Sequence, residues 1–379
     1  MARRDFLKLG AAWTLSGTVG PAHEAHGLGR RQRPLRPVPR INGGINVQPV
    51  RRLDGKLGFT DPLIIPELVD LQMRLVYELG YEWIRITLSF DDFGPDFFAA
   101  IPYVRAARAL GIHVLGIIGQ FTGLDLLREL ARPQTREEVL RVYLSIFDDF
   151  VPSATPAIER PGIFTAQVLN EPTSFHSISP RTYVREFLAP VYETLKNEDP
   201  QLTVVSAAEA GNAAGFLRTR AMFEAGVENF CDRVAYHIYD RRWIPRLAGM
   251  THKTIWVTES GVAPPERHLA WITQTFEEIR RGIEGVEQVF YFQLFDTHPQ
   301  TFRLIDIVAQ PDGGFQEVVE SSAAVEHLAS RVAEASGGQP RATYRDLIPD
   351  ITRYFPTEED LALIATTSFR QEARRFSPS

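Results

Sequence analysis

Cysteine is almost absent. Cys231 stands alone among 379 residues, so no internal disulfide can form and no cysteine-rich zinc site can be built. The nine histidines are scattered, with no His-x-His or His-Glu-x-x-His spacing to supply two metal ligands from one element. No glycine-rich phosphate loop follows a strand-like run, and no Gly-x-Ser-x-Gly elbow occurs; Gly43-Gly44 opens the first such run and is a weak turn signal. Long apolar stretches are missing too. The weakly apolar segment 9–22 is short and broken by Thr14, Ser16 and Thr18, which excludes a membrane-spanning helix there. Charge of one sign is also scarce: 41 Lys and Arg face 47 Asp and Glu, a net −6. That balance gives no electrostatic reason to expect nucleic acid or an anionic membrane as partner.

What remains is an ordinary globular composition. Hydrophobic residues make up 44% and charged residues 23%, enough apolar mass for a large core. The 24 phenylalanines suit core filling first and sugar stacking second. The opening Met1-Ala2-Arg3-Arg4-Asp5-Phe6-Leu7-Lys8 resembles a twin-arginine export signal, expected over 1–28, with export to the periplasm or the medium as its consequence. A basic, proline-rich linker follows over 29–40.

From there short apolar runs alternate with helical patterns. The runs 44–47, 83–88, 113–118, 164–169, 202–206, 233–238, 254–258 and 286–292 show little polar alternation, as strands buried on both faces do. Between and after them lie helical patterns over 62–79, 96–110, 135–150, 180–196, 213–225, 265–281 and 318–334, with only a short connection around 241–250. Eight strands alternating with helices predict an α/β fold, a (β/α)8 TIM barrel over 41–335. A C-terminal extension, 336–379, follows the break at Gly337, Gly338 and Pro340 and carries one amphipathic helix over 357–375.

Active sites of such barrels sit at the C-terminal ends of the strands, so the polar residues that close each run are the informative ones. The fourth run ends Leu169-Asn170-Glu171-Pro172 and the seventh Thr258-Glu259-Ser260-Gly261. Strands four and seven lie across the mouth from each other, so Glu171 and Glu259 can converge on one ligand. Glycosidic cleavage needs such a pair, with one carboxylic acid to protonate the leaving oxygen and one carboxylate at the anomeric carbon. The two divide the labour when Glu171 carries a proton and Glu259 is bare. The sixth run carries His237 and Tyr239, which share a face by the period of two. Arg85, a cation inside the second run, is costly to bury unless paired, and a site carboxylate is its natural partner. Further candidates are Gln120 after the third run, either sugar-binding or a loop residue, Glu209 after the fifth, either sugar-binding or solvated, Trp243 as a stacking platform, and Phe90 as a stacking platform or core residue.

Asn170-Glu171-Pro172, His237-x-Tyr239 and Thr258-Glu259-Ser260-Gly261, in that order, resemble clan A glycoside hydrolases, closest in flavour to the cellulase-like family 5 and the xylosidase-like family 39. The resemblance covers about 41–335 and is carried by the strand ends. It implies a retaining enzyme acting on a β-linked oligo- or polysaccharide, with Glu171 as acid/base, Glu259 as nucleophile and no cofactor or metal. Asn170 would bind the sugar 2-hydroxyl, Tyr239 and Arg85 would orient Glu259, and His237 would line the subsite. The family's strand eight usually ends in a tryptophan that floors the sugar site. Here the segment reads Phe290-Tyr291-Phe292-Gln293-Leu294-Phe295-Asp296, with Phe295 or Phe292 as the substitute. A non-catalytic carbohydrate-binding barrel and a metal-dependent barrel hydrolase stand as alternatives. Sugar identity and oligomeric state are left open.

Overall fold

The structure, a computed structural model, describes residues 38–39, 41–47, 51–53, 56–58, 63–64, 66–88, 95–119, 132, 136–137, 140, 164–294, 302–305, 307–309, 315–317 and 319–337. The expected leader, linker and C-terminal extension fall almost wholly outside these. Of the expected helix 135–150 only 136, 137 and 140 are described, all helical.

Eight strands form one parallel sheet: β1 (Gly44–Asn46), β2 (Trp83–Leu88), β3 (His113–Ile118), β4 (Phe164–Val168), β5 (Thr203–Val205), β6 (Val234–Ile238), β7 (Ile255–Ser260) and β8 (Val286–Tyr291). Their order is β5-β4-β3-β2-β1-β8-β7-β6, and each neighbouring pair is parallel. A parallel bridge from Val205 to Arg233, with Ser206 N donating to Arg233 O at 3.1 Å, joins β5 to the entrance of β6 and closes the ring. The fold is the (β/α)8 barrel that the alternation of runs predicts.

Helices cover the outside: α1 (Pro66–Glu78), α2 (Pro95–Ala109), α3 (Pro172–His176), α4 (Ala189–Glu198), α5 (Ala213–Glu224), α6 (Phe276–Gly282) and α7 (Val319–Ala335). α1 buries Val69, Met73 and Val76 at helical spacing while Asp70 faces water, so an amphipathic stripe docks it on the strands. Between β6 and β7 the only helical pieces are Arg241–Trp243 and Ile244–Leu247. Among the described residues no helix is long and apolar enough to cross a membrane.

One expectation needs correcting. The helical pattern over 62–79 starts too early, because Leu63–Ile64 is a strand that pairs antiparallel with Arg51–Leu53, which also pairs with Lys56–Gly58. Pro66 explains the boundary. A proline disfavours helical backbone in the residue before it and fits the first helical position itself.

The barrel interior is a packed core. Trp83, Leu115, Val205, Ala208, Ala235, Trp256 and Phe290 form one buried cluster inside the ring, with Trp83 stacked on His113 at 4.6 Å and edge-on to Trp256 at 4.9 Å. Gly44 of β1 makes room for these rings: a Cβ there would lie 2.2 Å from Cδ1 of Phe290. Gly44→Ala is therefore expected to overpack the interior and destabilise the fold by about 1–3 kcal/mol. Urea denaturation measures this, and an unchanged midpoint would contradict the packing.

Candidate active site

Side chains alternate along a strand, so the residues two places beyond the interior cluster rise toward the C-terminal mouth. Beyond Gly44 comes Asn46, beyond Trp83 comes Arg85, and beyond Ala235 come His237 and then Tyr239. The same inward rows that are apolar at the bottom are polar at the top.

Strands β4 and β7 break this alternation where the glutamates stand. In β7 strict alternation from Trp256 would turn Thr258 inward and Glu259 outward. The pairing with β6 instead runs Val257 to Tyr236 and then Glu259 to His237, skipping Thr258. This bulge re-aims Glu259 into the barrel. At the end of β4, Leu169 and Glu171 adopt left-handed backbone, with φ of 61° and 43°. Leu169 twists the chain so that Asn170 follows Gln167 to the inside, where Gln167 Nε2 donates to Leu169 O at 3.0 Å. Left-handed backbone costs a residue with a Cβ about 1–2 kcal/mol, so both positions must be held by their surroundings. Leu169 N donates to Ile118 O and Glu171 N to Ala208 O, each at 2.9 Å.

Arg85, 2% exposed, is the centre of a buried network. Its Nη1 donates to Glu259 Oε1 and to Asn46 Oδ1, both at 2.6 Å. Its Nη2 donates to Asn170 Oδ1 at 2.7 Å and its Nε to Gln167 Oε1 at 2.8 Å. Asn46 is fixed in turn by donating to the carbonyls of Thr258 and Tyr291 at 3.1 and 3.2 Å. A charge this deep is tolerable only because every side of it is bonded.

Glu259 accepts three bonds, from Arg85, from the Tyr239 hydroxyl at 2.5 Å and from Asn170 Nδ2 at 3.3 Å. Burial alone would raise its pKa. His237, Arg85 and the Tyr239 and Arg85 hydrogen bonds outweigh burial and hold the carboxyl below its ordinary value. Tyr239 moves the other way. Burial, the Glu259 charge and the bond to it push the phenol well above its ordinary range, so it stays a donor.

Glu171 faces Glu259 across His237. The imidazole Nδ1 pairs with Glu171 Oε1 at 3.0 Å, and Nε2 lies 3.5 Å from Glu259 Oε1. The donor atoms of Glu171, His237 and Glu259 lie within 4.8 Å of one another, close enough in principle to share a metal ion. Charge argues against that use. Glu259 Oε1 already holds the Arg85 guanidinium, which would repel a dication on the same oxygen.

Six expected residues thus meet in one cluster: Glu171, Glu259, Arg85, Asn170, His237 and Tyr239. Others differ. Glu209 is neither solvated nor open to the mouth: its side chain is 0% exposed, and Oε1 accepts from Thr173 N at 3.2 Å and Thr173 Oγ1 at 2.8 Å. Burial first, with a contribution from Glu171, raises its pKa, while the Thr173 bonds and Arg218 oppose the rise. Trp243 is half-buried, stacked on Phe216 at 5.4 Å and lying 5.0 Å beneath the Arg246 guanidinium. Those contacts are outside the carboxylate cluster. Phe292 lies 6.1 Å edge-on from Tyr239, and Phe302 lies 5.3 Å from it, so an aromatic patch flanks the Glu259 side. Gln120, Phe90 and Phe295 lie outside the described residues. Asn46 and Gln167 were missed by sequence reasoning. Their signal was a polar side chain inside an apolar strand, the same one that marked Arg85.

No protein-family model matches the chain, and no curated protein matches it. The chain is similar to several solved structures. The hyperthermostable endo-1,4-β-D-mannanase from Thermotoga petrophila RKU-1 is 13% identical, with a TM-score of 0.50 over 75% of this chain and 98% of that one. The endo-1,4-β-mannanase from Rhizomucor miehei is 13% identical, with a TM-score of 0.49 over 75% and 99%. A GH39 enzyme from Xanthomonas axonopodis pv. citri is 15% identical, with a TM-score of 0.48 over 70% and 63%. At 13% identity the likeness to the Thermotoga petrophila enzyme is one of fold alone.

The network carries a stability prediction. The carboxyl of Glu259 is held low, so its contribution is complete above the ordinary Glu range, near pH 4.3, and fades as pH falls through its depressed folded value. Arg85→Met is expected to cost about 3–5 kcal/mol at pH 7, because it strands a buried carboxylate. The loss should shrink in acid as Glu259 takes up a proton. Urea denaturation at both pH values checks this, and a pH-independent loss would contradict the pairing.

Proposed function

We propose that the protein is a retaining glycoside hydrolase acting on a β-linked oligo- or polysaccharide, with Glu171 as acid/base and Glu259 as nucleophile. The observation that carries this reading is the approach of the two carboxylates to within 4.8 Å on either side of His237. Retaining enzymes hold their carboxyl groups about 5–5.5 Å apart, while inverting enzymes leave about 6.5–9.5 Å for a water molecule. The short separation favours direct attack.

In the first step Glu171 gives its proton to the glycosidic oxygen while a Glu259 oxygen attacks the anomeric carbon. The C–O bond to the leaving group breaks and a glycosyl ester forms on Glu259. In the second, Glu171 takes a proton from water, the resulting hydroxide-like oxygen attacks the same carbon, and Glu259 departs as carboxylate. Two attacks restore the starting configuration. Arg85 and Tyr239 keep Glu259 ionised and aimed between turnovers. Asn170, bonded to Arg85 through its oxygen, turns its amide nitrogen toward Glu259, where a sugar 2-hydroxyl would lie. The Arg3-Arg4-Asp5-Phe6-Leu7-Lys8 start supports a substrate met after export.

Glu171→Gln and Glu259→Gln are each expected to lower kcat by on the order of 10³-fold or more. Glu171→Gln should keep a melting temperature near that of the parent, whereas Glu259→Gln, which leaves the buried Arg85 guanidinium facing a neutral amide, should fold with a lower one. Azide should rescue Glu259→Gly and yield a glycosyl azide of inverted configuration, read by NMR. Full turnover in either glutamine variant would end the proposal. Tyr239→Phe removes a bond to the ionised form of Glu259. Its kcat/KM profile should therefore lose activity on the acid side at a higher pH than the parent, and an unshifted acid limb would refute that role.

A further inference from the structure

We infer that Glu209 is a positioning residue that holds Glu171 in place through Thr173, an inference that rests on the acid/base role proposed for Glu171. After β5 the chain does not leave the barrel at once. Residues 207–209 run on beside the end of β4 and are tied to it at three points. Ala207 N donates to the Tyr183 hydroxyl at 2.6 Å, and that hydroxyl donates to Val168 O at 2.9 Å. Glu171 N donates to Ala208 O at 2.9 Å. Thr173 N and Oγ1 both donate to Glu209 Oε1.

The first tie lies before Glu171, the second on it, and the third after it. Only in the third does the 207–209 segment contribute a side chain, and that side chain is a fully buried carboxylate. Arg218 completes the clamp: its Nη1 lies 3.8 Å from Glu209 Oε2 and donates to Ser174 Oγ at 2.9 Å. Thr173 and Ser174, the residues after Glu171-Pro172, are thus gripped from the β5 side by an acid and a base.

The grip has a clear purpose in local terms. Leu169 and Glu171 are left-handed, and α3, which Glu171 opens, has only five residues. A helix that short cannot sustain its own conformation. The direction of the Glu171 carboxyl therefore depends on tertiary ties, and charged acceptors make the stronger ones. Glu209 touches neither His237 nor Glu259 in the described contacts, so its effect on chemistry passes through the turn.

An acid held out of place fails most where the leaving group needs its proton most. The test compares kcat/KM on dinitrophenyl glycosides, whose leaving group departs with little help, and on methyl glycosides, using a β-glucoside, β-mannoside and β-xyloside panel. Glu209→Ala is expected to lower kcat/KM about 100-fold on the methyl glycoside and no more than about fivefold on the dinitrophenyl one. Glu209→Gln keeps an acceptor for Thr173 and should recover at least about tenfold of that loss. Equal losses on the two substrates, or no loss on either, overturn the inference. If Glu209→Ala does not fold, Thr173→Val, which removes one of the two donors, carries the same comparison with a smaller split. If the parent protein cleaves no glycoside, the glycosidase proposal has failed. The positioning claim is then decided by a crystal structure of Glu209→Ala: a Glu171 carboxyl moved away from His237 upholds it, and one unmoved refutes it.

Discussion

A guanidinium deep inside the barrel sets the terms for everything above it. Arg85 brings a permanent charge to a place where water cannot solvate it, and such a charge is stable only if opposed and hydrogen-bonded on all sides. Asn46, Gln167, Asn170 and Glu259 meet that demand, one each from β1, the end of β4, the turn beyond it and β7. In the proposed mechanism the same contacts then serve chemistry. A carboxylate that neutralises Arg85 is an ionised carboxylate with a fixed direction, which is what an attacking nucleophile needs. In that mechanism stability and reactivity share one interaction.

The two carboxylates meet because both strands that carry them depart from regular pleating. A bulge at Thr258 turns Glu259 inward, and left-handed backbone at Leu169 and Glu171 turns the chain so that Asn170 and Glu171 both face the cleft. Irregular backbone of this kind persists only under restraint from its neighbours. The restraints are visible: Asn46 holds the Thr258 carbonyl, and the chain after β5 holds the turn that bears Glu171. Local strain is concentrated beside the two carboxylates and offset by ties to the adjacent strands.

Much of this was legible beforehand, and the limits have physical reasons. Apolar runs without alternation marked all eight strands, because a barrel buries both faces of its sheet. Arg85 declared itself by sitting as a cation among Trp83, Ile84 and Ile86. Its partners Asn46 and Gln167 did not, since an uncharged polar residue in a strand is cheap enough to pass as ordinary. The bulge at Thr258 was invisible because it depends on register with β6, a property of two strands and not of one. Glu209 looked like a solvated acid after a strand. Nothing near it in sequence shows that Thr173, 36 residues earlier, folds over it. The early start given to α1 came from reading helical periodicity through Pro66, where the pairing of 63–64 with 51–52 wins.

The account turns on Glu259 being bare and able to bond to an anomeric carbon. Incubation with 2-deoxy-2-fluoro-glycosyl fluorides, followed by intact-mass and peptide mass spectrometry, tests that most directly. A single added fluorosugar on the peptide that contains Glu259 is the predicted result. A label on another residue, or turnover of natural glycan with inverted product and no label at all, would contradict it.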